Sequence, residues 1–414
     1  MKKVILFTSI CMFFIISCSH NETGIVAIFP ETSEPMQITE GKQHMFASYH
    51  AINSWSESQR YVTVLQTDLI NTLPTEDDTA LMGLVDLENG NEFIPLAETG
   101  AWNFQQGNMA HWLGTSPDSL IIYNDMREGQ YVSVIMNVLT GDEINVHPYP
   151  VSTVSPDGRE AISINFSRVG EARPHYGYAG TGQNSQRDVK FPDNDGLFLL
   201  NLETGESELI VSFLDLKDMV PNIEPGGMQY IDHTLYSKGG SRIMFLARAI
   251  PERNTTCFTV DRDGGNLQRC FPDHWGGSHF DWLTDDQLMV TAEYQGKQYG
   301  HILFTAGEND YKRLGNGLLD YDGHGTFSPD GRWMATDTYP EGGFLDQKIY
   351  LMDMETQAVL SLGRFPHTEQ HLGDRNYSRC DIHVRWSPNS DMFGFNSTHM
   401  GSRQAFIMKV QQPE

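Results

Sequence analysis

One cadence recurs through this chain and leaves few folds open to it. An aromatic residue is followed by a polar turn such as Ser-Pro-Asp-Gly, an apolar run, a loop, a second apolar run ending in Asp, a Glu-Thr-Gly-like turn and a last short run. Each copy reads as four antiparallel strands joined by hairpins, which is one blade of a β-propeller. The clearest copy spans residues 325–363. Aligned on the first turn residue, the copies start at Ser56, Leu113, Ser155, Ser237, Leu283, Ser328 and Ser387, predicting an all-β fold of seven four-stranded blades. The step from Ser155 to Ser237 is 82 residues and marks an insertion of about thirty over the usual blade. The 414 residues could hold two or three domains, but no Pro-, Ser- or Gly-rich stretch divides them. Residues 19–414 are therefore expected to form one domain, with residues 25–29 supplying the edge strand that the last blade, ending near Val410, otherwise lacks.

The start of the chain is set apart from this repeat. Lys2 and Lys3 precede an apolar run over residues 4–16, short for a membrane span, and Ser17 stands directly before Cys18. Residues 1–18 resemble a bacterial lipoprotein signal, in which the cysteine becomes the lipidated N-terminus; an ordinary secretory signal is the alternative. The expectation is a monomeric body tethered through Cys18 outside the cytoplasm, in a Gram-negative cell envelope, touching membrane only through the lipid. An oxidising compartment makes the other cysteines readable. Cys257 and Cys270 are placed symmetrically about Asp263-Gly264, so they face each other across the predicted hairpin and are expected to form a disulfide. Cys380 has no such partner and lies three residues before His383, as a buried thiol or a thiolate metal ligand.

A formal net charge of -26 argues against nucleic acid and anionic lipid surfaces as partners, since both reward a basic face. It says little about a pocket, where the few cations can gather. Within the repeat, His233, His279, His324 and His383 each stand four residues before the first turn residue of their blade. Equivalent positions in a ring converge. The links between second and third strands return to the same face, and the longest, the insertion over residues 167–195, carries Arg173, His175, Tyr176 and Tyr178. Loops 65–78, 339–346 and 398–403 join it, and the linker before the last blade adds His367, His371 and Arg379. Long loops with aromatics, Arg and His mark the functional face. Converging neutral imidazoles beside a carboxylate or thiolate bind transition metals, and an open position there grips a substrate carboxylate; the competing reading is that the imidazoles stack in the channel and bond to backbone.

Other chemistries find no support. There is no nucleophile elbow and no phosphate-binding loop. His367 and His371 lie four apart without the helix a zincin needs, and the Asp-x-Asp-Gly runs at 193–196 and 261–264 fall where turns are required.

The runs SHFDW, GHGTFSPDGRW and IHVRWSPN, with FNSTHMGSRQAFIMKV after them, resemble the C-terminal half of the oligogalacturonate lyases, seven-bladed propellers related to the TolB type. The likeness covers about residues 225–410. It implies a divalent metal, manganese in that family, held by histidines and a glutamine, and cleavage of uronate chains by β-elimination. Carried onto this chain it makes His279, His324 and His383 metal ligands and His233 a base or substrate contact. Cys380 and Asp381 stand where the remaining ligand is expected, which would move the preference toward zinc. The N-terminal half is faintly similar to ulvan lyases, which use His and Tyr as acid and base with an Arg on the carboxylate. With residue chemistry and the expected face, this assigns Arg173 to the carboxylate and Tyr176 or Tyr178 to the leaving oxygen, a tyrosine there being otherwise a sugar-stacking platform. The expected substrate is an acidic oligosaccharide or polysaccharide. A non-catalytic propeller binding glycan or protein is the other function class.

Overall fold

The computed structural model describes residues 27–180, 184–251, 254–340, 345–368 and 379–411. The signal segment with Cys18, and His371, lie outside them. Seven antiparallel sheets follow one another around a ring, six of them built from four consecutive strands. Blade three, for example, runs Thr153–Val154, Glu160–Ser163, Gly196–Asn201 and Ser207–Ser212, so the insertion does fall between its second and third strands.

Side chains of the repeat explain why the copies stack. The aromatic before the turn is Trp112, Trp282 and Trp386 in blades two, five and seven. Their indole N–H groups donate to Ser54, Leu235 and Thr326 carbonyls, each two residues before the turn of the preceding blade, at 3.1, 3.3 and 3.2 Å. A recurring Arg–Asp fork ties first hairpin to third strand within a blade: Arg60 on Asp86 at 3.0 and 2.7 Å, Arg332 on Asp353 at 2.5 and 2.8 Å. Such bidentate pairs fix geometry as well as adding energy.

Ring closure departs from expectation. Pairing with the last strand, Gln404–Gln411, is made by Glu31–Thr32 and Met36–Gln37; of the expected closing segment, residues 25 and 26 lie outside the described residues and residues 27–29 form no strand. Prolines bound the two short strands. Pro30 has no N–H to give and Pro35 separates the two short strands. Phe29 instead packs its ring 5.9 Å from that of Trp333.

The insertion contains a helix too short to show a periodicity, Phe166–Ala172, whose N-cap Asn165 accepts from the Arg168 N–H. Arg168 is fully buried and donates to the carbonyls of Gln229, Ser185, Gln186, Val189 and Lys190, pinning the loop to blade four. The cysteine register is as expected: the Cys270 N–H donates to the Cys257 carbonyl at 2.9 Å. The covalent bond is not made, and both are free buried thiols, as is Cys380.

Candidate metal and carboxylate site

Bulges aim the histidines. His233, His279 and His383 hold φ of 51, 55 and 52°, the left-handed region that side chains other than Gly rarely enter, and Met109 holds 54° at the same register of blade two. At His233 and His279 the strand pairing shifts register. The side chains therefore reach the channel through a bulge rather than by simple alternation along the strand. His324 gets there differently. It sits between Gly323 and Gly325; a Cβ on Gly323 would fall 2.0 Å from the Asp337 carbonyl oxygen, so only glycine lets this backbone lie against the neighbouring strand.

Asp337 organises the imidazole cluster. Its Oδ1 accepts from the His324 backbone N–H at 2.7 Å and from His324 Nδ1 at 2.8 Å, and its Oδ2 accepts from the His383 N–H at 2.8 Å. A carboxylate on Nδ1 leaves the His324 Nε2 lone pair facing the cavity. Asp322 does the same for His279, Nδ1 to Oδ1 at 2.9 Å. The two Nε2 atoms converge on the Tyr339 hydroxyl, 3.0 Å from each. Ring centroids are 4.1 Å apart for His279 and His324 and 4.2 Å for His324 and His383.

The tightest donor set is His324, Asp381 and His383, whose ligand atoms lie within 4.8 Å of one another. One ion closes that span with shifts of about 1 Å, given bonds of ~2.1 Å. His383 Nε2 is buried and has no hydrogen-bond partner among the described residues. Two imidazoles and a carboxylate suit a divalent transition ion, and an unspent buried nitrogen is what such a site leaves when only the protein is counted. Of Cys380 and Asp381, it is Asp381 whose ligand atom joins this donor set. The Cys380 N–H donates to His367 Nε2 at 3.1 Å, its thiol is outside the donor set, and burial pushes it up to about 11, against thiolate character.

Beside the imidazoles lies a cavity of 260 Å³ that Arg173, Arg248 and Arg379 line with His233, Tyr176 and Tyr339. Arg173 and Arg248 flank Asp232 at 3.2 and 3.0 Å, and Arg379 forks onto Asp381 at 2.5 and 2.9 Å. In so acidic a chain this is a local concentration of cations. Guanidinium carbons also cover two rings, Arg173 over Tyr176 at 4.0 Å and Arg379 over Tyr339 at 4.4 Å. Tyr178 is elsewhere: stacked on Phe166 at 4.5 Å, with its hydroxyl held by Asn124 at 2.9 Å, it belongs to the core. The turn after the helix sends Tyr176 to the cavity and Tyr178 inward, so only Tyr176 of the pair is placed for chemistry.

Burial, opposed by Asp232 and reinforced by Arg248 and Arg173, lowers His233 to about 3. Burial and the neighbouring imidazoles hold His50 and His383 well below the ordinary histidine value. For His324 burial alone would lower the pKa, but Asp337 outweighs it and the group is raised. Burial raises Tyr176, with Arg173 opposing, and pushes Tyr339 well up.

Several participants carry no signal in the sequence, Asp232 and Asp322 among them. His50 reaches the centre, with ring centroids 5.1, 5.6 and 5.9 Å from His324, His383 and His279. It lies six residues before Ser56, off the register of the others. Tyr339 marked only the edge of a loop, Arg248 is embedded in the apolar run RIMFLARAI, and Asp337 ends an unremarkable strand.

No protein-family model and no curated protein matches the sequence. Among solved structures, an oligogalacturonate lyase from Vibrio parahaemolyticus superposes with a TM-score of 0.62 at 13% identity, covering 93% of this chain and 98% of that one. An oligogalacturonate lyase in complex with manganese gives 0.60 at 14% identity over 94% and 99%. TolB from Acinetobacter baumannii is more distant, at 0.42 and 15% identity over 86% and 80%. The two oligogalacturonate lyase superpositions agree with the seven-sheet ring in fold.

Proposed function

We propose that this protein is a metal-assisted lyase that cleaves uronate-containing oligosaccharides or polysaccharides by β-elimination, working as a lipid-anchored monomer in the cell envelope. The observation that carries the reading is the adjacency of a His–Asp–His donor set to a cavity bearing three guanidiniums in a chain of charge -26. The fold it shares with a manganese-bound oligogalacturonate lyase supports it.

His324, Asp381 and His383 would hold the ion, with His279 beside them. When bound, a divalent cation supplies positive charge against a substrate carboxylate, easing loss of the neighbouring C–H proton. Arg173, Arg248 and Arg379 orient that carboxylate and share its developing charge. His233 meets the substrate unprotonated, since its pKa is held near 3, and is placed to accept the proton; carboxylate substrate entering beside it strengthens it as a base. Tyr176, its proton retained by burial, faces His233 with ring centroids 5.2 Å apart and serves the leaving oxygen.

The alternative, a non-catalytic propeller binding glycan or protein, draws on Asp232 and Asp381, which already offset part of the arginine charge. Elemental analysis of purified protein and a screen of acidic glycans for unsaturated-uronate absorbance test the proposal. His324→Ala is expected to lower metal content and activity together. Activity without bound metal, or glycan binding without any unsaturated product, sinks it.

A further inference from the structure

Beneath the histidines, two buried side chains have unspent nitrogens. Arg385 is 2% exposed, the second residue after His383 on the inner strand of blade seven. Its Nη2 donates to the Ser48 carbonyl at 3.2 Å and its guanidinium carbon lies 4.3 Å from the centre of the Phe46 ring. Among the described residues Nε and Nη1 have no hydrogen-bond partner and Arg385 forms no ion pair. The carboxylate that acts on it is Asp337, whose two oxygens are taken by His324 and His383. His50, two residues after Ser48 and also 2% exposed, has both ring nitrogens unsatisfied and feels the Arg385 charge.

Burying a guanidinium with no ion-pair partner is unfavourable, and water satisfies its donors without balancing its charge. We infer that the axial channel holds a small monovalent inorganic anion of halide size, bound by Arg385 Nε and Nη1 with His50 as a further donor. A site so placed is separate from the carboxylate cavity. It would balance the charge of Arg385, which has no ion-pair partner among the described residues, and it does not depend on the proposed activity. The Phe46 ring, 4.3 Å from the guanidinium carbon, covers the group, and the anion inferred is accordingly a small one.

Bromide is the probe. In crystals of the wild-type protein grown with bromide as the sole halide, an anomalous peak is expected against Arg385 Nε and Nη1; ordered water there overturns the inference. In solution, replacing gluconate by chloride or bromide at constant ionic strength is expected to raise the wild-type Tm by about 2 °C, saturably, and to leave Arg385→Met unmoved. A rise that is linear in salt and shared by the variant is a general salt effect and refutes the site. The crystal experiment stands even if Arg385→Met does not fold.

Discussion

Asp337→Asn isolates the residue on which the imidazole cluster hangs. The carboxylate is fully buried and accepts three hydrogen bonds of 2.7–2.8 Å, two on Oδ1 and one on Oδ2. An amide of the same shape has one oxygen. If it keeps the His324 pair, its NH₂ is set against the His383 N–H, donor facing donor in a dry place; if it flips, two donors are orphaned instead. The loss of a bond to a charged acceptor is worth about 1.5–3 kcal/mol and the stranded buried donor about 1–3 more, so the variant should lose roughly 3–5 kcal/mol. Urea unfolding with a chelator present measures this without any contribution from metal. The same substitution frees the His324 tautomer and should weaken metal affinity by about 10–100-fold, read by calorimetric titration. A variant within about 1 kcal/mol of wild type and unchanged in metal affinity would show that Asp337 does not organise the site.

Three further outcomes are expected from the same geometry. His233 has its folded pKa lowered to about 3, so its contribution to stability is complete above the unfolded value near 6.5 and declines as pH falls toward 3. Between pH 6.5 and 5 the loss is roughly 2 kcal/mol, and His233→Gln should flatten the unfolding free energy against pH by one proton. Cys257 and Cys270, aligned across their strands, should be recovered as one linked peptide pair from oxidised protein, with Cys380 unmodified; Cys380 in the linkage contradicts the register. Because His279 holds φ of 55°, His279→Gly should be more stable than His279→Ala by about 1 kcal/mol although both lose the imidazole. Equal stability in chemical denaturation would mean that the bulge relaxes when the side chain goes.

The legible part of the sequence was the part that repeats. Seven turn signals placed seven blades, and a constant offset of four residues brought His233, His279, His324 and His383 to one end of the channel, because equivalent positions in a closed ring have to meet. The insertion, too, was located by its length alone. Features without a counterpart in other copies stayed hidden. His50 sits on an irregular approach to its turn, and Arg248 and Asp337 look like ordinary strand residues until a distant loop supplies their partners. Tyr178 and Cys380 show the reverse failure: neighbours of site residues in sequence, they point away because a turn or a single residue of offset reverses direction. The closing pairing falls at Glu31–Thr32 and Met36–Gln37, with Pro30 and Pro35 bounding the first of these short strands.

The two short pairings of Glu31–Thr32 and Met36–Gln37 with Gln404–Gln411 also have a mechanical meaning. They are a clasp: here the ring is fastened by four residues of ladder and by the backbone N–H groups of Ser33, Ile38 and His44, which donate to the Lys409, Ala405 and Arg403 carbonyls. A pull applied at the N-terminal side, as membrane attachment through Cys18 would apply it, loads this clasp before any blade. The propeller would then open like a bracelet at its catch, with the blades still intact on either side.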